Sequence, residues 1–172
     1  MSLHAHDRVR GVLIDRDDMV LDGRSGSDPW SAEPVAGARR AVRALRHAGI
    51  RVGVVADPIR PAAGSAAVAA RLEELVGPFD VWCACSTSNA AGHSAAVLDA
   101  AARWEIPPSE IAVIGGVGAD IGAARETGAA SILVADAAST SGEIEDADVV
   151  VGSIVDAAAL VLHDWYAPSS SG

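Results

Sequence analysis

The sequence predicts an α/β fold, a three-layer Rossmann-like sandwich around a mostly parallel sheet, and three observations carry that prediction. Short runs rich in Val and Ile alternate with longer segments whose apolar residues recur at helical spacing. The runs are nearly continuous in hydrophobicity, so the sheet they form must be covered on both faces. Hydrophobic residues make up 50 % of the 172 residues but aromatics only 3 %, so the core must be packed mainly from Ala, Val, Leu and Ile.

Val9, Val12, Leu13 and Ile14 read as the first strand, and the Gly-, Ser-, Asp- and Pro-rich stretch from Asp22 to Glu33 as a loop. Pro34 opens a segment in which Val35, Ala38, Val42 and Leu45 share a helical stripe, with arginines on the other faces and Gly49 as a stop. Arg51 to Ala56 is the second strand, Val68 to Val76 the next helix, and Asp80 to Cys85 the third strand. Val97, Leu98, Ala101 and Trp104 mark a helix that starts near Gly92 and is ended by Pro107 and Pro108. Ile111 to Ile114 is a fourth strand running into Gly115 and Gly116. Ala119 to Thr127 is a short helix, Ser131 to Ala135 and Val149 to Val151 are strands, and Ile154 to Trp165 is the last helix. Residues 9–166 are thus read as one domain, with 1–8 a flexible N-terminus and 167–172 a disordered tail.

A net charge of −10 argues against nucleic acid and anionic membranes as partners, because both need a positive face to neutralise phosphates. All 13 basic residues are arginine, which excludes a P-loop lysine, a Schiff-base lysine and a lysine phosphate clamp. The first ten residues lack the apolar core of a signal peptide, and no apolar run reaches the ~18 residues of a membrane span. Cys83 and Cys85 are neighbours but one on a strand and unsuited to an ordinary disulfide, so a cytoplasmic location is expected. With His93 they are too few for a four-ligand zinc site, and no zinc is expected. An exposed Trp104 or Trp165 would point to a homodimer.

The chemistry concentrates at Asp15-Arg16-Asp17, where the first strand gives way to a loop. Ligands of open α/β sheets bind at the carboxyl ends of strands. Asp15 there can attack a phosphoryl group or hold a metal, while Asp17 can give a proton to the leaving oxygen. An isolated DxD is more often a solvated turn, so the weight falls on what accompanies it. Gly116-Val117-Gly118 with Asp136 imitates a dinucleotide fingerprint, but the third glycine position is Ile121, which would hold helix and strand apart.

Val12-Leu-Ile-Asp-Arg-Asp17, Ser27-Asp-Pro-Trp30, Pro34-Val-Ala-Gly-Ala38, Leu45 to Val55, Val76 to Trp82 and Val113-Ile-Gly-Gly-Val-Gly-Ala-Asp120 together, in this order, resemble the haloacid dehalogenase superfamily. Within it the chain is similar to the cap-less heptose-bisphosphate and histidinol-phosphate phosphatases, from about Val9 to Leu162. The resemblance implies a HAD-like sandwich with no large cap domain. It implies Asp15 as nucleophile, Asp17 as acid and base, and Mg2+ held by Asp15, the backbone at Asp17, and a carboxylate after the fourth strand, with Asp120 the acid that survives there. Arg16, Ala56, Asp57 and Gly116 fall at phosphate- or ligand-binding positions.

Several of those positions depart from the family pattern. The main metal aspartate is Gly116, so Mg2+ should bind weakly or not at all unless Asp120 or Asp57 substitutes. The hydroxyl residue after the second strand is replaced within Ala56-Asp57-Pro58, where a carboxylate would repel a phosphate dianion. The phosphate-binding lysine falls at about Ala91, with Arg60 or Arg103 the candidates to replace its charge. Asp18 and Met19 stand where Gly and Thr are usual. The expectation is a phosphatase-fold protein that is catalytically impaired, a pseudo-phosphatase serving as a binding or repurposed module. The alternative is an active Mg-dependent phosphohydrolase acting on a small, sugar-phosphate type monoester through an aspartyl-phosphate at Asp15.

Overall fold

A computed structural model describes residues 8–16, 33–56 and 65–165, with side chains from residue 69 onward in the last of these segments. Six strands form one parallel sheet: β1 (Gly11–Asp15), β2 (Arg51–Ala56), β3 (Val81–Ala84), β4 (Ile111–Gly115), β5 (Ala130–Val134) and β6 (Val149–Val151). Their order across the sheet is β3-β2-β1-β4-β5-β6. The chain therefore builds outward from β1 in one direction and then restarts beside it at β4. That reversal opens a crevice at the carboxyl ends of β1 and β4, the place where doubly wound sheets bind ligands.

Alternate residues of a strand face opposite sides of the sheet, and two cores result. On one side Val12, Ile14, Val52, Ala112 and Ile132 meet α1 (Ala38–His47), α2 (Ser65–Leu75) and α6 (Ile154–Leu160). On the other Leu13, Val55, Val81, Ile111 and Val113 meet α3 (Ala90–Trp104) and α4 (Gly118–Thr127). The second core accommodates its one large aromatic through two glycines. A Cβ on Gly11 or Gly53 would run into Trp104 or Val81, so these small residues are what lets the indole lie against the strands. Trp104 is 4 % exposed and Trp165 6 %, so the exposure that would have pointed to a homodimer is not found.

Every expected strand is present, with ends displaced by a residue or so, while three helical segments differ from expectation. Helix α1 starts at Ala38 rather than at Pro34, because Gly37 adopts a left-handed φ of 80° just before it. A short helix α5 (Ser141–Asp146) lies where none was expected. Its capping box was legible: Thr140 accepts from the Glu143 amide and Glu143 accepts from the Thr140 amide. The last helix ends at Leu160 and continues as a wider π turn over Val161–Trp165. Among the described residues no helix is long and apolar enough to cross a membrane.

Candidate functional site

Asp15 closes β1 and is buried, paired in register with Val55 on β2 and one residue past the last β1–β4 pair, Ile14 with Ile114. Asp15 follows Leu13 with the period of a strand, so it faces the α3–α4 side. Arg16, buried next to it, and Ala56, at the end of β2, border the same edge. The Ala56 carbonyl accepts a hydrogen bond from the Cys85 amide at 2.9 Å, which ties the end of β2 to the end of β3. Asp17, Asp57, Asp18, Met19 and Arg60 lie outside the described residues.

Across the crevice, β4 turns through Gly115-Gly116 into α4, and Asp120 stands in the first turn of that helix. Its carboxylate occupies the space a side chain on Gly115 would need; a Cβ there would collide with Oδ2. Asp120 is 2 % exposed, and its Oδ1 accepts a hydrogen bond from Nδ1 of His93 at 2.8 Å. His93 comes from the first turn of α3, which Asn89 caps by accepting from the Gly92 amide at 3.1 Å. The two helix starts are thus clamped together by a buried His–Asp pair.

The hydrogen bond to Asp120 raises the His93 pKa to about 10, with a lesser contribution from the Cys85 thiol and with burial opposing. A cation in the first turn of a helix is disfavoured by the macrodipole by about 0.3–1 kcal/mol, whereas a hydrogen bond to a charged group contributes about 1.5–3 kcal/mol. The pair wins, and His93 is an imidazolium at neutral pH. Among the described residues, neither His93 Nε2 nor Asp120 Oδ2 has a hydrogen-bond partner of good geometry.

The sequence offers Arg60 or Arg103 as the replacement cation, whereas the structure brings His93 to this edge. Arg103 sits at the far end of α3, exposed and paired with Asp99 at 3.0 Å, so it does not serve this edge. A signal for His93 was available. Asn89 capping at Gly92 places residues 90–93 in the first turn of a helix that follows a strand, hence at the carboxyl edge of the sheet. The two cysteines are small buried residues, and burial, with the nearby Asp99 carboxylate, pushes the Cys83 thiol up to about 12.

A family model described as HAD-hydrolase-like matches residues 91–157. Deoxy-D-mannose-octulosonate 8-phosphate phosphatase from Haemophilus influenzae, in a cobalt-bound form, superposes with a TM-score of 0.69 at 17 % identity, covering 92 % of this chain and 90 % of that one. D,D-heptose 1.7-bisphosphate phosphatase from B. bronchiseptica, complexed with magnesium and phosphate, gives 0.69 at 16 % identity over 90 % and 98 %. The fold is that of the haloacid dehalogenase superfamily. The 3-deoxy-D-manno-octulosonate 8-phosphate phosphatase of Moraxella catarrhalis, holding magnesium, phosphate and a KDO molecule, is similar at 0.67 and 16 % identity over 93 % and 89 %. A comparison with curated protein sequences finds no match.

Those haloacid dehalogenase-fold structures raise the question of whether the residues here fit magnesium. The ion demands near-octahedral oxygen donors. At this edge the described residues supply the carboxylates of Asp15 and Asp120, and Asp120 engages His93 through Oδ1. Gly116, at the turn itself, has no side-chain donor, and no group of three or more candidate ligands is found among the described residues. Among the described residues the donor set is the two carboxylates of Asp15 and Asp120, and the candidate donors Asp17 and Asp57 lie outside them.

Proposed function

We propose that this chain is a phosphatase-fold protein impaired in phosphoryl transfer, acting as a cytoplasmic binding or repurposed module with neither nucleic acid nor membrane as partner. The observation that carries this reading is the engagement of Asp120 by His93 at 2.8 Å, beside a glycine turn that lacks a carboxylate. Catalysis of phosphoryl transfer is largely positioning and charge stabilisation. Here one cation of the edge, His93, is engaged by Asp120, β2 ends in Ala56 without a hydroxyl, and lysine is missing from the chain. Each lost electrostatic support of this kind costs about 3 kcal/mol in the transition state, though such losses do not simply add.

A second reading keeps Asp15 as the nucleophile of a working magnesium-dependent phosphohydrolase on a small phosphate monoester. It is favoured by the placement of Asp15, buried at the strand end beside the switch point. The test is phosphate release from a panel of monoesters in magnesium. The proposal expects no release above background from the unmodified protein and a gain of magnesium binding in Gly116→Asp. Magnesium-stimulated release that vanishes in Asp15→Asn would overturn it.

A further inference from the structure

The opposite face of the sheet carries an arrangement that the crevice does not use. Of the arginines among the described residues, most are tied to a partner: Arg10 to Glu110, Arg46 to Asp80, Arg71 to Glu74, Arg103 to Asp99, Arg125 to Asp146, and Arg51 to the Trp104 carbonyl. Arg39, Arg40 and Arg43 make no ion pair or hydrogen bond among the described residues, and all three are exposed. They stand together on α1, in a chain with ten more acidic than basic charges.

These arginines, with His47, line an open groove of about 1030 Å³ between α1 and the end of α2, floored by Val35, Ala44 and Leu75. The nearest acids of α2 are engaged. Glu74 pairs with Arg71, and Glu73 accepts from the Phe79 amide at 3.1 Å, and neither forms an ion pair with Arg39, Arg40 or Arg43. Arg39, Arg43 and His47 follow at four-residue intervals, about 6 Å apart along the helix. An extended peptide repeats its side chains on one face every 6.6–6.8 Å or so, and a helical one every ~6 Å.

We infer that this groove binds an acidic segment of a partner polypeptide, its carboxylates spaced to meet Arg39, Arg43 and His47 and its aliphatic residues seated on Val35 and Leu75. The floor decides between polyanions. Single-stranded nucleic acid is held by aromatic platforms, and among the described residues this groove is lined by Pro, Val, Ala and Leu, with no Phe, Tyr or Trp. An aliphatic floor under a cationic rim suits a chain that alternates carboxylates with apolar side chains. The site lies across the sheet from Asp15 and is independent of whether the crevice turns over phosphate.

A labelled peptide alternating Glu and Val, followed by fluorescence anisotropy against the intact protein, tests the inference. The expected result is saturable binding that weakens with salt and falls by at least about tenfold in Arg39→Glu/Arg43→Glu, with no comparable binding of the Gln-for-Glu peptide. Circular dichroism and the melting temperature establish that the variant is folded. Absence of binding, or binding that the double variant leaves unchanged, would overturn it. So would tighter binding of an oligothymidylate of equal charge. Self-association of the protein that the same variant abolishes, without peptide binding, would equally overturn it by assigning the groove to a second copy.

Discussion

The two faces of the sheet treat charge in opposite ways. On the α3–α4 face, His93 and Asp120 are sealed between two helix starts, and each is the other's principal partner. On the α1–α2 face, Arg39, Arg40 and Arg43 stand in solvent without a partner among the described residues. A buried charge is tolerated only when paired, because desolvation would otherwise neutralise it. An exposed charge needs no such pairing for stability, and one that lines a groove is open to a ligand. The comparison teaches that the interior pair answers to folding first and that the surface row answers to whatever it meets.

The sharpest way to break this contrast is to remove one member of the sealed pair. Asp120→Ala leaves a buried imidazole without its acceptor and opens space over Gly115. It is expected to lower stability by about 3 kcal/mol, read from urea unfolding at neutral pH. A loss under about 1 kcal/mol would mean that the pair is a bystander.

A gentler probe is pH. The folded His93 titrates near 10 and the unfolded one near 6.5, so the stability the pair contributes is whole below about pH 6.5 and is lost as the pH rises through 10. Wild type should lose stability across that window, and His93→Gln should show a flatter profile. Cys83 adds its own loss only above its ordinary value of 9.0, so the interval from 7 to 9 isolates His93. Parallel slopes in the two proteins there would refute the assignment.

The smallest expected effect sharpens the comparison from the other side. Replacing Arg39 and Arg43 by Ala should change stability by no more than about 0.5 kcal/mol, because both are exposed and unpaired among the described residues. A melting curve shifted beyond that would show them to be structural.

Much of this was legible in the sequence where a pattern is local. Runs such as Val12-Leu13-Ile14 and Ile111 to Ile114 report strands covered on both sides, and the alternation of runs with helical stripes reports a parallel sheet. The placement of Asp15 at a strand end follows from the same pattern. Pro34 resembles a helix opening in the sequence, while the left-handed Gly37 sets the start of α1. Helix α5 does not show in the hydrophobic pattern because its six residues carry no apolar stripe, although Thr140 and Glu143 mark its cap. The role of His93 as a cation is not legible locally, because its partner lies 27 residues away on another helix.

By itself the sequence determined the α/β architecture, the scarcity of aromatic packing, the loss of lysine and the glycine at the β4 turn, since composition and short-range periodicity carry all four. Only the tertiary structure decided that Asp120 is bound to His93, that Arg103 serves another end of its helix, and that three arginines share one groove. The physical reason is range. Periodicity records which side of an element faces the core, but a charge finds its partner through contacts between elements, and those exist only once β1 and β4 lie side by side.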